Sequence, residues 1–281
     1  MIESVAIVGC GWFGLPLAQS LAEQNIAVFG SKRLVGDAAL LSENNIIGFK
    51  LDLDNEQHLV DDRESLTKIL DVDCLVVNIP PGLRKEPQAY LQRLSKLLEL
   101  IACHTYKKLI FVSTTGVYPA IDAELTEQDA KSHSLISEKL LQAEQMFASK
   151  PNSCIVRFAG LVGPKRHPGR FLAGKTGLSG ANSAVNLVHL NDCIAAVTSL
   201  IFKKTPSAIY NVCAPIHPKR RDFYYAAALD LGLVPPQFNL EQEITDCSGS
   251  AVGKLINSDR LMNELNFEFQ FDDPVAMLAA C

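Results

Sequence analysis

The sequence predicts an α/β chain in which helices cover both faces of a doubly wound parallel sheet, with a small C-terminal region on the substrate side. Three observations lead there. Short runs rich in Val, Ile, Leu and Phe alternate with helical patterns through the first half of the chain. Those runs lack polar alternation, as strands buried on both faces do. A glycine-rich turn joins the first run directly to the first helical pattern.

In chain order, the runs at 5–8, 26–30, 46–49, 74–78, 109–113 and 154–158 read as strands. The clearest helix is 85–103, where Leu91, Leu94, Leu97, Leu98 and Ile101 keep the three-and-four spacing of one helix face. Such alternation implies right-handed crossovers and a parallel sheet. The rhythm breaks near Gly163. Residues 163–183 are rich in Gly, Pro, Lys and Arg and read as a loop or insertion. Helical pattern returns at 191–202, a strand at 208–213 and a helix at 218–232. A short strand at 254–257 and a helix after Ser258 complete the chain. The expected division is a sheet domain of 1–162 and 184–214 and a smaller region of 163–183 and 215–281. The tail, too short for a core of its own, is expected to pack as a lid.

Composition removes several function classes. With 48% hydrophobic residues in 281, a sizeable core can form. The net charge of −5 leaves no basic excess to neutralise the phosphates of a nucleic acid, so nucleic-acid partners are not expected. The eight cysteines lie at 10, 74, 103, 154, 193, 213, 247 and 281, never within four residues of one another, and so lack zinc-finger spacing. No HExxH or clustered His/Asp set points to a metal. Reduced thiols in a cytoplasmic protein are the expectation. Residues 4–22 are uncharged, yet three glycines, Pro16 and the preceding Glu3 fit neither a signal peptide nor a membrane span.

Gly9-Cys10-Gly11-Trp12-Phe13-Gly14 is a GxGxxG turn between strand and helix. In a Rossmann-type fold Gly9 makes the tight turn, Gly11 lets backbone approach a diphosphate, and Gly14 lets helix and strand pack closely. The helix N-terminus adds its dipole, and Trp12 and Phe13 fall within the same cofactor-binding stretch. The second strand runs into Ser31-Lys32-Arg33, with no acid there for a ribose 2′-hydroxyl. A hydroxyl and two cations suit a 2′-phosphate, which favours NADP(H), with NAD(H) the alternative. The competing reading is an exposed basic start to the next helix.

Further motifs, LDLDN at 51–55, NIPPG at 78–82, STTGVYP at 113–119, RFAGLVGP at 157–164, VHLND at 188–192 and YNV at 210–212, follow in order. With the glycine turn, the chain resembles the extended short-chain dehydrogenase/reductase family, in particular its atypical NAD(P)-dependent epimerase/dehydratase-like members. The resemblance implies that Asp52 and Leu53 border the adenine and that Asn78, Ile79 and Pro80 line the ribose and nicotinamide side. It also implies a catalytic Ser or Thr, a Tyr, and a Lys four residues after that Tyr. Thr114, four before Tyr118, matches the hydroxyl position. Placing Lys139 on the family Lys puts Leu135 where the Tyr belongs, and sliding by one gives Ile136 and Leu140. Neither register holds a tyrosine, so the usual proton transfer does not carry over.

Tyr118 and His133 are substitutes for the missing phenol, and Lys139 remains a candidate for ribose hydroxyls. The alternatives are a packed loop aromatic, a solvated helix-start residue and a surface cation. Arg157 and Arg221 are candidates for a phosphorylated or carboxylated substrate such as a nucleotide sugar. His189 and Asp192 read as structural, Asp192 capping the helix that contains 194–200. Two functions follow as expectations. One is an NADP(H)-dependent oxidoreductase or epimerase/dehydratase-like enzyme acting on a small hydroxylated or sugar-nucleotide substrate. The other is a non-catalytic NAD(P)-binding sensor that has lost the Tyr. Oligomeric state is not legible.

Overall fold

The computed structural model describes residues 1–83, 87–204, 207–239 and 252–281. Strand β1 (Ser4–Val8) enters helix α1 (Gly14–Glu23), and β2 (Ala27–Lys32) leads to α2 (Val35–Ala39). β3 (Ile47–Lys50) precedes α3 (Glu56–Asp61) and α4 (Arg63–Ile69), and β4 (Cys74–Val77) precedes α5 (Pro87–Leu100). β5 (Lys108–Thr114), the short β6 (Ala123–Leu125) and α6 (Leu135–Ala148) come next. Then follow β7 (Ser153–Phe158), β8 (Gly160–Val162), β9 (Leu187–His189), α7 (Leu190–Phe202) and β10 (Ile209–Val212). α8 (Arg220–Asp230), β11 (Lys254–Ile256) and α9 (Asp259–Leu265) finish the chain.

Seven strands form one parallel sheet in the order β10-β7-β5-β4-β1-β2-β3, a Rossmann-type doubly wound arrangement. β1 pairs with β2 on one side and β4 on the other, so the winding reverses beside β1. In such sheets a crevice for ligands opens at the carboxyl ends of the strands at that point. Val5–Val8 and Cys74–Val77 are buried throughout, as uninterrupted apolar strands must be. Tyr90, Leu94, Leu97 and Ile101 carry the buried face of the α5 region, whose first expected residues, 85 and 86, lie outside the described residues. β2 runs two residues beyond its expected end, because Ser31 and Lys32 continue the pairing with Phe49 and Lys50 of β3.

The chain divides into two compact units. The first comprises Met1–Val117, Ser132–Arg157 and Val197–Tyr210, and the second Tyr118–Lys131, Phe158–Ala196 and Asn211–Cys281. The second has its own core, in which Met277 and Leu278 from the tail join Val162, Val185, Leu187, Phe223 and Ala227. Residues 118–131, 158–162, 184–196 and 211–214, expected with the sheet domain, belong to this second unit. It also holds the two-stranded pairs β11–β6 and β8–β9, both parallel. Seven free cysteines lie among the described residues, five of them buried, and Cys247 lies outside. Among the described residues no helix is long and apolar enough to cross a membrane.

One expectation is corrected in the second unit. Asp192 does not cap its own helix; its carboxylate accepts the backbone N–H groups of Gln270 at 2.7 Å and Phe271 at 3.2 Å. His189 lies beside the same segment, its Nε2 3.2 Å from the Ala280 carbonyl and its ring 4.3 Å from that of Phe271. The two side chains therefore hold the C-terminal stretch. No cation forms an ion pair with Asp192 among the described residues, and burial raises its pKa to about 6 against the pull of its two N–H donors.

A carboxyl whose folded pKa lies above its unfolded value stabilises most at acid pH and loses that contribution as pH rises through the folded pKa. Wild type should therefore lose up to about 3 kcal/mol relative to Asp192→Asn between about pH 3.5 and 7.5. Urea denaturation of both proteins across that range measures the difference, and a difference independent of pH contradicts the assignment.

Candidate functional site

The turn after β1 is built from close backbone approaches. Gly9 has φ +105°, and a Cβ there would stand 2.2 Å from the Asn78 carbonyl oxygen. A Cβ on Gly14 would stand 2.2 Å from the carbonyl oxygen of Gly9. Both glycines are demanded by the protein's own packing. Gly11 differs: it has no left-handed φ, and a Cβ added there meets no protein atom within 4 Å. Nothing in the packing requires a glycine at this exposed position. The α1 N-terminus has no acid in its first turn and no side-chain cap, so no side chain there offsets its positive dipole. A bare backbone ledge beside an unneutralised helix start fits a diphosphate.

Ser31 on β2 and Asn78, just past the end of β4, hold this turn. The Gly9 N–H donates to Ser31 Oγ at 2.9 Å, and Asn78 Nδ2 donates to the Gly9 carbonyl at 3.0 Å. Ser31 is buried, so its hydroxyl supports the glycine turn instead of offering a contact to a solvent-facing phosphate. Cys10 is also buried, and burial pushes its thiol up to about 11. Ile79 and Pro80 leave the end of β4, half-buried and exposed respectively.

Past the ends of β2 and β3 lies a charged cluster that sequence reading found only in part. Arg33, 68% exposed at its side chain, reaches Asp52 at 3.4 Å and Asp54 at 3.0 Å. Arg93 of α5 donates to Asp54 at 2.6 Å and, with Arg33 and Lys96, holds that carboxyl below its ordinary value. Leu53 is buried between the two acids, and its carbonyl accepts from Lys96 at 3.3 Å. The i, i+2 acids of LDLD were the available signal for Asp54. Lys32 is half-buried and enters none of the ion pairs at this edge among the described residues.

At the end of β5, Thr114 Oγ1 accepts the Gly116 N–H at 3.2 Å. α6 begins with a reciprocal cap: Ser134 Oγ accepts the Ser137 N–H, and Ser137 Oγ accepts the Ser134 N–H. Ser137 Oγ also accepts the His133 N–H at 2.9 Å, and the His133 ring turns back to place Nε2 3.3 Å from the Gly116 carbonyl. The structure thus joins Thr114 and His133 to one residue. Lys139 donates to Gln142 at 3.0 Å on the same helix, and Leu135 and Ile136 are 62% and 45% exposed. Tyr118 falls in the second unit, 1% exposed, with its hydroxyl donating to Asn211 at 2.6 Å. It is a packed aromatic and not a proton donor to solvent-facing substrate.

Arg157 also needs correction. It is 2% exposed and meets Glu144 through two bonds, Nε to Oε1 at 3.0 Å and Nη2 to Oε2 at 2.7 Å. Ser113 donates to the same carboxylate at 2.5 Å. The guanidinium is closed inside the first unit and cannot serve a substrate. Arg221 belongs to the second unit, where its backbone N–H donates to Ala181 and its Nε to Asp222 at 3.0 Å.

No family model matches the chain. It is 39% identical over 281 residues to the protein YeeZ of Escherichia coli, covering 98% of this chain and 99% of that one. Among solved structures it is similar to dTDP-glucose 4,6-dehydratase of Bacillus anthracis in complex with NAD, with TM-score 0.76 and 15% identity, covering 99% of this chain and 96% of the other. It is likewise similar to UDP-glucuronic acid 4-epimerase of Bacillus cereus in complex with UDP-glucuronic acid and NAD, with TM-score 0.74 and 18% identity, covering 99% and 97%. At these identities the structural likeness is one of fold.

Two substitutions separate packing from site. Gly9→Ala should destabilise the protein by about 2 kcal/mol or more, while Gly11→Ala stays within about 0.5 kcal/mol of wild type. Removing the guanidinium by Arg157→Leu should cost about 3 kcal/mol through the stranded Glu144 carboxylate, and Arg157→Leu with Glu144→Leu should recover part of it. Denaturant titration reads all four; a destabilised Gly11→Ala, or an Arg157→Leu protein as stable as wild type, runs against these roles.

Proposed function

From its membership of the YeeZ protein family and its extended short-chain dehydrogenase/reductase fold, we propose that this chain is an NADP(H)-dependent oxidoreductase or epimerase/dehydratase-like enzyme acting on a small hydroxylated or nucleotide-sugar substrate. The observation that carries the reading is Gly11, a glycine that the protein's own packing does not need, lying between two that it does. In this reading the diphosphate lies along Gly9, Gly11, Trp12, Phe13 and Gly14. Lys32 and Arg33 take the 2′-phosphate, with Ser31 holding the turn behind them. Arg33 exchanges Asp52 and Asp54 for the phosphate; exposed ion pairs are weak, so the exchange costs little. Asp52 and Leu53 border the adenine, and Asn78, Ile79 and Pro80 the ribose and nicotinamide.

A bound nicotinamide supplies hydride exchange with a carbon of the substrate. Thr114 keeps its hydroxyl proton to donate to a substrate oxygen, because its Oγ1 already accepts from Gly116. Lys139 is suited to ribose hydroxyls one turn along α6. The nucleotide-sugar class rests on the substrates of the solved enzymes that share the fold. Free cysteines support a reducing, cytoplasmic setting. A second reading, a cofactor-binding sensor without turnover, is favoured by one observation: exposed Leu135 and Ile136 occupy the positions where the family phenol is expected.

Trp12 is the only tryptophan of the sequence and sits in the glycine turn, so its fluorescence reports the cofactor. NADPH should change the emission at lower concentration than NADH, by about tenfold or more, and Lys32→Ala with Arg33→Ala should remove the difference. Equal affinities in the intact protein refute the 2′-phosphate assignment. Gly11→Ala should abolish both responses while the fold persists. A screen of alcohol and carbonyl substrates by NADPH absorbance, repeated with Thr114→Ala, separates enzyme from sensor.

A further inference from the structure

We infer that His133 takes the place of the missing tyrosine as the proton-exchanging group, an inference that rests on the cofactor reading above. Tyr118 is buried and bonded to Asn211. Ser134 and Ser137 are engaged in the helix cap. Glu144 is closed on Arg157 and Ser113. Glu138, the acid of the first turn of α6, accepts from Gln142 at 3.0 Å, and Lys139 donates to the same Gln142. Among the described side chains at the β5 end and the α6 start, His133 is an exposed imidazole with one ring nitrogen held by a backbone carbonyl and the other left without a described partner.

Its placement suits the task. A carbonyl only accepts, so the 3.3 Å contact with Gly116 is made by an Nε2–H donor. Nδ1 then carries the lone pair in the neutral ring, and no described protein group binds it. This is the arrangement of a general base whose second nitrogen is held by a fixed acceptor. The reciprocal cap at Ser134 and Ser137 pins the His133 backbone, and Thr114 is joined to the same Gly116 through its N–H. In the oxidising direction the hydroxyl proton of a substrate alcohol passes to Nδ1. An oxidised nicotinamide cofactor, when bound, would accept the C–H hydride, leaving the alcohol as a carbonyl. Reduction returns both, the imidazolium supplying the proton to the carbonyl oxygen.

The test is a pH titration of isotopically labelled histidine side chains by NMR, in the presence and absence of NADP⁺ and of NADPH, with Trp12 fluorescence as an independent monitor of binding. Loss of one of the six imidazole signals in His133→Gln assigns the residue. The positive nicotinamide ring of NADP⁺ should lower the His133 midpoint by about half a pH unit or more, while uncharged reduced nicotinamide should not. Binding reported by Trp12 with an unmoved His133 curve overturns the inference and leaves the cofactor site standing. Absence of binding overturns both. With UDP-glucose as the probe alcohol, any NADP⁺ reduction by wild type should fall about 100-fold in His133→Ala and return on adding imidazole. A rate held within about threefold in that variant also overturns it, and the NMR titration decides the case where UDP-glucose does not react.

Discussion

The approach of three backbone segments at the end of β1 sets the rest of the site. Gly9 lies against the carbonyl of Asn78, Gly14 lies against the carbonyl of Gly9, and neither contact leaves room for a Cβ. This compression starts α1 right after β1, beside which the winding of the sheet reverses. It also brings the ends of β2 and β4 against the turn, so that Ser31 and Asn78 can bond to the two sides of Gly9. Once that packing is satisfied, Gly11 is left as a stretch of open backbone at the positive end of a helix. The open backbone ledge is therefore a by-product of how strand and helix must pack.

Much of this was legible in the sequence because apolar runs and glycine spacing report local physics. A strand buried on both faces has to be apolar at every position, so β1 and β4 announced themselves, and the short β11 was visible at its expected place. What was not legible were partners distant in sequence. Arg157 looked like a cation beside a turn, but its carboxylate, Glu144, is on another element and on the buried face of α6. Asp192 sat where a helix cap is common, yet its donors come from Gln270 and Phe271, nearly eighty residues away. Ser31 read as a phosphate ligand because nothing local says that β2 continues through it and buries it. In each case residue type indicated hydrogen-bonding capacity, and only the fold chose the partner.

The same distinction sorts the polar residues of the first unit. Those engaged in closed sets, Ser113, Glu144 and Arg157 or Ser134 and Ser137, have their bonding capacity met by the protein and act as scaffold. Those left with capacity, Lys32, Thr114 and His133, lie at sheet ends or at a helix start. Arg33 is intermediate, an exposed cation resting on two acids, one of which is more firmly held by Arg93. An ion pair of that kind keeps a guanidinium near the sheet edge without committing it.

The missing tyrosine can be viewed in the same terms. A phenol at Leu135 or Ile136 would need a neighbouring cation to titrate near neutral pH, whereas an imidazole needs only an acceptor for one nitrogen and space at the other. Gly116 provides the acceptor, and the cap of α6 provides the fixed backbone that makes the ring's return to Gly116 reproducible. On the inference above, the proton-exchanging group shifts from the first turn of α6 to His133, the residue just before the N-cap Ser134, where Lys139 is not required to tune it. Lys139 is then left to hold hydroxyl groups, consistent with its single hydrogen bond, to Gln142, among the described residues.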